Sequence, residues 1–444
     1  MKTIYALSSG RGRSGIAIIR VCGPSSASAL KAITGHLPIP RKATLASITA
    51  EDGSIIDRGI VLWLPGPGSA TGEDMAEFHI HGGHAVISAL EMRLSGIHNL
   101  RAAEPGEFSR KAFENGKLDL TQIEGLSDLI HAETEGQRRQ AMRQFDGDLG
   151  RMLGTLRDQS LQTLAHFEAV IDFPEEEIPE AIILETTERI SSLVEKIDQV
   201  LEGAHKGEQM RTGVHAALIG APNVGKSSLL NSLAGRDAAI VSASAGTTRD
   251  IVEVHLDVGG LPLILADTAG LREVNAQVEK EGVRRAEALL ESTDLKIIIF
   301  DGADWPSIDS RTESIVDENA IVVVNKSDLL SLIPENQKIR NQPILFVSAI
   351  TGVGLEELIE VLQQKMSLGV NTTTEPSLTR GRHRELLGRA RQYLSEFLLV
   401  EIDADLELRA ENLRLAVREI GKITGHVEVD EILDIVFRDF CIGK

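Results

Sequence analysis

The chain has 444 residues, 42% of them hydrophobic and 25% charged, which suffices for about three domains that each bury a core. Its 46 Lys and Arg against 66 Asp and Glu give a net charge of −20, which excludes a protein that coats nucleic acid by bulk positive charge. Two cysteines exclude a disulfide framework, and 3% aromatic residues disfavour a large base-stacking platform. No apolar run approaches the ~20 residues of a bilayer span, and residues 1–10 lack a secretory signal pattern, so we predict a cytoplasmic protein without membrane attachment.

Residues 1–117 differ from the rest of the chain in their hydrophobic pattern and in their net charge. They hold 13 basic and 10 acidic residues, a net charge of +3, so the acidity lies in the remainder. Short apolar runs broken by glycines predict the strands of an α+β domain at Gly15–Val21, Gly59–Leu64 and Ala76–Ile80.

Residues 118–212 and 369–444 show helical periodicity instead. Between them, in residues 213–368, strands alternate with helices, which is typical of a doubly wound, mostly parallel sheet. We therefore predict a multidomain α/β protein, in which a complete α/β domain is inserted into a discontinuous helical domain. Apolar positions at helical spacing predict amphipathic helices at Ile183–Leu201, Arg380–Leu399 and Glu411–Ile420.

A glycine-rich loop follows the first predicted strand of the inserted domain, Val214–Gly220. Its sequence, Gly-Ala-Pro-Asn-Val-Gly-Lys-Ser, matches the pattern in which backbone N–H groups surround phosphates where a helix begins. We expect Lys226 to neutralise the β- and γ-phosphates and the Ser227 hydroxyl to bind Mg²⁺. The residues expected to contact the nucleotide here are Asn223, Val224, Gly225, Lys226, Ser227 and Ser228.

Three further motifs each follow a predicted strand of this domain. In Asp267-Thr268-Ala269-Gly270 the carboxylate can hold the magnesium shell and the glycine N–H can sense a γ-phosphate. In Asn325-Lys326-Ser327-Asp328 the last carboxylate can accept two hydrogen bonds from guanine that adenine cannot offer. Ser348-Ala349 can present a backbone N–H to the base. Four motifs in this order indicate a Ras-like P-loop domain that binds GTP, of the class related to translation factors.

The residues expected to support hydrolysis depart from the Ras pattern. Leu271 stands where Ras-type proteins have a water-positioning glutamine, so hydrolysis needs other help. An Asn223 oxygen and switch carbonyls could hold a monovalent cation that replaces an arginine finger; alternatively, Asn223 only shapes the loop. Thr248 is placed to bind Mg²⁺. The first switch is predicted at Gly246–Asp250. The residues expected near the nucleotide in and before it are Ser242, Ala243, Ser244, Ala245, Gly246, Thr247 and Thr248.

Taken together, the chain resembles the bacterial MnmE (TrmE) family of tRNA modification GTPases over essentially its whole length. The C-terminal tetrapeptide Cys441–Lys444, combined with an inserted GTPase domain, is highly specific for that family. One departure is the opening loop Ser8–Gly15, where relatives usually have Thr-Pro-Pro-Gly-Arg-Gly. The resemblance also rests on Gly12–Arg20, Thr71–Asp74, His81–Gly83, Pro105–Phe108, Asn115–Asp119 and Phe173–Glu177.

The resemblance implies a homodimer that forms a heterotetramer with an FAD-binding protein of the MnmG family and acts on tRNA. Together the two proteins would add an aminomethyl or carboxymethylaminomethyl group at C5 of the wobble uridine, position 34. The N-terminal domain would mediate dimerisation and bind a tetrahydrofolate derivative, in the 5-formyl or methylene form. The family's folate positions correspond to Arg20, Glu77, Lys117 and Lys444.

The resemblance further implies how GTP would be hydrolysed. Glu279 would orient the attacking water in place of the missing glutamine, and potassium would stimulate the reaction. Cys441 in the tail is a candidate nucleophile, although a merely structural cysteine is an open alternative, and Cys22 is predicted to pack in the core. The potassium ligands would be Asn223, Ser242, Ser244 and Thr247.

Two other functions stay open at this point. The GTPase features alone would suit a regulatory GTP switch in ribosome assembly, and a folate-dependent methyltransferase that uses GTP only as a stabiliser is a third possibility. A zinc site at His79, His81 and His84 is a weak alternative to a strand end that lines a pocket, because no cysteine or suitably spaced carboxylate completes the ligand set.

Overall fold

The chain divides into two compact units. The first contains Met1–Ser127, Gln144–Glu176 and Asp405–Lys444, and the second contains Asp128–Arg143 and Glu177–Ala404, so the helical segments are shared between them. The computed structural model describes residues 2–10, 12–171, 180–235, 239–240, 253–267, 293–334, 337–369, 376–399, 406–427 and 443.

Six strands form the sheet of the first unit: β1 (Thr3–Leu7), β2 (Ser14–Cys22), β3 (Thr44–Thr49), β4 (Ile55–Leu64), β5 (Met75–Gly82) and β6 (Leu100–Ala102). Their order is β3-β4-β5-β2-β1-β6, and every pair is antiparallel except β1–β6. Because side chains alternate between the faces of a strand, Tyr5 packs on one face and Ile4 on the other. The first face carries α1 (Ser26–Thr34) and α2 (His84–Ser95), and Phe108 of α3 (Glu107–Glu114) packs on the second. This arrangement confirms the predicted α+β domain.

Helices follow the sheet, as predicted from the periodicity. The helix predicted at Ile183–Leu201 is confirmed and extends by three residues at its start and one at its end. The helices that the structure describes in this stretch are α4 (Leu120–His131), α5 (Glu135–Phe145), α6 (Asp148–Ile171), α7 (Glu180–Glu202) and α8 (Ala204–Thr212).

The sheet of the inserted domain contains the strands β7 (Val214–Gly220), β8 (Ala239–Ile240), β9 (Glu253–Val258), β10 (Leu261–Asp267), β11 (Leu295–Asp301), β12 (Ala320–Asn325), β13 (Lys338–Ile339) and β14 (Gln342–Phe346). Their order across the sheet is β13-β14-β12-β11-β7-β10-β9-β8. The five strands from β14 to β10 run parallel, and the edge strands pair antiparallel. Apolar clusters cover both faces, as a parallel sheet requires. The helices described here are α9 (Lys226–Ala234), α10 (Ser310–Ser314) and α11 (Leu355–Gly369). The predicted mostly parallel sheet is therefore confirmed.

Two long helices lie near the end of the described chain, α12 (Gly381–Leu399) and α13 (Leu406–Thr424). In the second unit α12 packs against α7, and in the first unit α13 packs against α6. Leu394 and Phe397 of α12 and Leu413 of α13 are fully buried. Each pair also has an exposed ion pair, which contributes little because water screens it. Within the part of the chain that the structure describes, no helix is long and apolar enough to cross a bilayer.

Candidate functional site

The loop between β7 and α9 has the backbone that phosphate binding requires. Gly225 (φ +92°) and Asn223 (φ +65°) both adopt the left-handed conformation. A Cβ on Gly225 would overlap the Asn325 side-chain nitrogen, and one on Gly220 would overlap the carbonyl of Ile299, so both positions need glycine. The loop therefore turns tightly and leads into the N-terminus of α9, where helix amides favour an anion.

Lys226, the first residue of α9, is 7% exposed and lies over its own loop. Its Nζ donates to the carbonyls of Gly220 (3.0 Å) and Ala221 (2.9 Å). Ser227 and Ser228 lie at the exposed start of the same helix. The predicted phosphate-binding residues are thus together on one short segment.

The motif Asn325–Asp328 connects the phosphate loop to the residues expected to bind the base. Asn325 is 1% exposed; its Nδ2 donates to the Val224 carbonyl (2.9 Å), and its Oδ1 accepts from the Ala349 amide (3.1 Å). The exposed Asp328 accepts a hydrogen bond on Oδ1 from the Ser348 hydroxyl (2.5 Å). Three segments that are distant in sequence therefore form one edge of the parallel sheet, at the carboxyl ends of its strands.

Lys326 has a partner that sequence reasoning missed. Its Nζ donates to the Asn223 carbonyl (2.9 Å) and pairs with Asp301 Oδ2 (2.5 Å). Asp301 is the last residue of β11, opposite Asn325 in the parallel register. The available signal was an aspartate at the end of a strand that neighbours a motif strand.

Several predicted GTPase residues lie at or outside the limits of the described residues. Asp267 is the last residue of β10, beside Leu218 of β7, and the structure describes its backbone only. The other switch residues and the candidate hydrolytic glutamate lie outside the described residues: Ser242, Ala243, Ser244, Ala245, Gly246, Thr247, Thr248, Thr268, Ala269, Gly270, Leu271 and Glu279.

Two of the predicted folate residues pair across neighbouring strands of the first unit. Arg20 on β2 lies opposite Glu77 on β5, with Nη2 2.9 Å from Oε1. Glu77 Oε2 also contacts the His79 ring at 3.1 Å, and the Arg20 guanidinium lies 5.8 Å from the centre of the Phe108 ring. The two side chains keep 28% and 13% of their surface exposed, so the pair borders solvent. Lys117 is exposed.

Gly443 of the C-terminal tail lies beside the end of β1. The Ser8 hydroxyl donates to the Gly443 carbonyl (2.8 Å) at the end of β1. Gly443 is buried with φ +99°, and a Cβ there would overlap the Leu7 carbonyl, so only glycine fits. In the β1–β2 register Ala6 lies opposite Arg20, close to this contact along β1. Cys441 and Lys444 lie outside the described residues.

The Thr71–Asp74 motif is a structural support beside the Arg20–Glu77 pair. Lys111 Nζ lies 2.9 Å from both carboxylate oxygens of Glu73, with side-chain exposures of 9% and 18%. The Cys22 thiol contacts the Thr71 hydroxyl at 3.1 Å, and Asn115 Nδ2 donates to the Thr71 carbonyl (2.8 Å). These contacts fix the loop beside Lys117, whose side chain lies against Gly72.

Cys22 packs in the core, as predicted. It is fully buried, and burial raises the pKa of its thiol to about 12; the Thr71 hydrogen bond opposes this shift and the Glu73 charge adds to it. A thiol with this pKa stays protonated at neutral pH and is a poor nucleophile.

Cys22 is therefore expected to resist thiol reagents until the protein unfolds. In a Cys441→Ser variant, where Cys22 is the remaining cysteine, native protein at pH 8 should react to less than about 0.1 equivalent in a disulfide-exchange assay, and to about one equivalent in denaturant. The Cys22→Ser variant is the control for labelling at Cys441. Reaction of a full equivalent in the native Cys441→Ser variant would contradict the assigned burial of Cys22.

The three histidines of the candidate zinc site, His79, His81 and His84, contact different residues. His79 contacts Glu77, the His81 ring lies 2.9 Å from Asp57, and the His84 ring lies 3.0 Å from Ser88. Burial opposes ionisation of Asp57, but hydrogen bonds from the His81 amide and ring outweigh it and lower the Asp57 pKa. Across the described ranges, no group of three or more His, Cys, Asp or Glu side chains is arranged to hold a metal ion.

The comparisons with known proteins agree over the whole chain. The model of the TrmE N-terminus, described as a GTP-binding protein, matches residues 3–117, and the MnmE helical domain model matches residues 120–441. A tRNA modification GTPase MnmE of Paramagnetospirillum magneticum is 48% identical over 444 residues, which cover 100% of both chains. The chain belongs to the MnmE (TrmE) family. It is a tRNA modification GTPase of that family, which confirms the resemblance and the GTP-binding fold.

MnmE-family relatives also occur in animals. Proteins of Danio rerio and Homo sapiens are 47% and 44% identical to this chain, and each match covers 100% of this chain and 93% of the relative. Both relatives are named mitochondrial 5-taurinomethyluridine-[tRNA] synthase subunit GTPB3. A synthase subunit acts with a partner, and the named product is a substituted uridine.

Proposed function

We propose that this chain is a potassium-stimulated GTPase that modifies C5 of the wobble uridine, position 34, in certain tRNAs. An FAD-binding MnmG-family protein is its partner, and the product is (carboxymethyl)aminomethyluridine, with one carbon from a tetrahydrofolate derivative. The chain acts as a homodimer in the cytoplasm, within a heterotetramer.

One observation supports the proposal: Gly443 of the family's C-terminal tail lies at the end of β1, the strand that pairs with the strand of the candidate folate residue Arg20. Gly443 accepts the Ser8 hydrogen bond at the end of β1, and the nearby Ala6 lies opposite Arg20. A GTP switch for ribosome assembly gives no reason for Gly443 of this tail to lie at the end of the strand that pairs with the Arg20 strand. The contact therefore favours modification chemistry over the ribosome-assembly alternative.

The residues present fit a reduced folate. A pterin ring offers an edge of N–H donors, and the Glu77 carboxylate accepts such bonds in an orientation that Arg20 fixes. The exposed Lys117 and the terminal Lys444 suit the carboxylates of the ligand's glutamate tail. A bound tetrahydrofolate supplies the one-carbon unit.

The residues of the inserted domain likewise fit GTP with Mg²⁺. The Lys226 ammonium and the α9 amides meet phosphate charge, the Ser227 hydroxyl with Thr248 suits Mg²⁺, and Asp328 accepts from guanine. Asn223 is exposed at the left-handed turn of the loop, and its side-chain oxygen is the potassium ligand that we propose there. The hydrolytic water would be oriented by Glu279.

GTP hydrolysis is expected to be at least about tenfold faster in KCl than in NaCl of equal ionic strength. The cation replaces an arginine finger, whose charge is worth ~10³–10⁵ in rate, and an ion of the wrong size leaves its oxygen ligands unmatched. Phosphate release at saturating GTP measures both rates, and Asn223→Ala should remove most of the difference. Equal rates in the two salts would refute the potassium proposal.

The modification function is tested in a strain that lacks this gene, complemented with the chain or its variants. Mass spectrometry of tRNA nucleosides should find the C5-modified uridines restored by the wild-type chain and not by Glu77→Gln. Glu51→Gln, on an exposed turn, is the matched control and should restore them. An unchanged pool of C5-modified uridines in the deletion strain would overturn the proposal.

A further inference from the structure

The Lys326 side chain is held between the phosphate loop and the end of β11. Lys326 follows β12 directly, and its φ of +61° lies in the left-handed region that a lysine rarely adopts. Its Nζ nevertheless reaches two partners on separate segments, the Asn223 carbonyl of the phosphate loop and the Asp301 carboxylate. The ammonium therefore bridges the phosphate loop to the end of β11.

Asp301 is itself fixed by its surroundings. Its Oδ1 accepts from the Ala303 amide (2.9 Å), so both carboxylate oxygens are engaged, and the side chain is 13% exposed. The next residue, Gly302, donates its amide to the Asn325 carbonyl at 2.7 Å. A Cβ on Gly302 would lie 2.6 Å from that carbonyl oxygen, so the turn after β11 lies directly against the base motif.

We propose that Asp301 is a positioning residue for the guanine nucleotide: it holds the Lys326 ammonium in place before the nucleotide arrives. A free lysine side chain samples many rotamers, and ordering it on binding would weaken affinity. Because Asp301 and the Asn223 carbonyl order the side chain in the folded protein, its conformational entropy is lost when the protein folds and not when the nucleotide binds. The inference rests on the nucleotide site proposed above and extends it by one residue outside the motifs.

The same strand offers a matched control. Lys296, near the start of β11, pairs with Asp317 at 2.6 Å, at the opposite end of the strand from the phosphate loop. Asp317→Asn removes an ion pair of the same type from the same sheet without touching the nucleotide site. A merely structural role for Asp301 would make the two substitutions equivalent.

The test compares GDP release from the full-length chain, without tRNA, folate or partner, using a fluorescent GDP analogue. Asp301→Asn should speed release about tenfold and raise KM for GTP more than it lowers kcat, and Asp301→Glu should recover part of the loss. Asp317→Asn should change release less than about twofold.

A double-mutant cycle with Lys326→Met decides whether Asp301 acts through the lysine. In the Lys326→Met background, Asp301→Asn should add no more than about twofold to GDP release. A full tenfold effect there, or wild-type release in Asp301→Asn alone, would overturn the proposal. Because the assay needs no modification chemistry, such a failure leaves the proposed tRNA function untouched, and a failed nucleoside analysis leaves Asp301 untouched.

Discussion

Asp328→Asn is expected to weaken binding of guanine nucleotides about 10³-fold and to create a preference for xanthine nucleotides. Guanine presents two donors, N1–H and the 2-amino group, and a carboxylate accepts both. An asparagine amide offers one acceptor and one donor, so the 2-amino group loses its partner. In xanthine a carbonyl oxygen replaces the amino group and accepts from the amide.

The surroundings of Asp328 indicate that the substitution changes base recognition without destabilising the domain. The Ser348 hydroxyl donates to Oδ1 (2.5 Å), an acceptor that an asparagine retains, and the side chain is exposed, so the substitution should not destabilise the domain. Competition titration of GDP and XDP against a fluorescent nucleotide measures the switch. Asp304→Asn, on a nearby exposed turn, is the control and should bind GDP normally. Unchanged GDP affinity in Asp328→Asn would remove Asp328 from the base site.

The elements that the sequence predicts best are those whose environment is uniform. β7 has the predicted bounds, Val214–Gly220, because its buried residues 216–219 form an uninterrupted apolar run, as a strand buried on both faces requires. The helix predicted at Glu411–Ile420 extends over Leu406–Thr424, as α13. Two charged side chains of this helix are buried, Arg409 (2% exposed) and Glu419 (6% exposed). The buried face is therefore not marked by apolar residues alone, which makes the ends of the helix harder to predict.

The candidate sites divide in the same way. The motif residues of the nucleotide site were predictable because their chemistry demands fixed spacing along the chain. The side-chain contacts around the candidate sites were not predictable from the sequence. The contacting residues are far apart along the chain: 25 positions for Asp301 and Lys326, 38 for Glu73 and Lys111, and 435 for Ser8 and Gly443. Such contacts depend on strand register and on how helices dock, which local sequence does not encode.

Lys111→Met is expected to destabilise the opening domain by about 2–4 kcal/mol. The substitution leaves the Glu73 carboxylate, which is 18% exposed, without its cation and next to the Cys22 thiol (3.7 Å). A buried charge that loses its partner costs more than the pair contributed, and the partial exposure of Glu73 lowers the figure from the fully buried limit.

Hydrogen exchange of β2 and α3 peptides in the full-length chain measures this loss, since a single melting temperature is ill-defined for two units. A loss of about 2–4 kcal/mol corresponds to exchange roughly 30- to 1,000-fold faster where global opening limits exchange. Glu114→Gln is the matched control: its pair with Arg110 on the same helix is 47% and 41% exposed, so the change should stay within about 0.5 kcal/mol.

The double variant Lys111→Met/Glu73→Gln separates loss of charge balance from loss of packing. Because a neutral amide has no charge to compensate, the double variant should recover more than half of the lost protection. If it exchanges as fast as Lys111→Met alone, the lysine stem and not its charge holds α3 on the sheet. Equal protection in Lys111→Met and Glu114→Gln would mean that the Glu73 pair is no stronger than a surface ion pair, and the Thr71–Asp74 motif would then need another reason for its place beside the candidate folate residues.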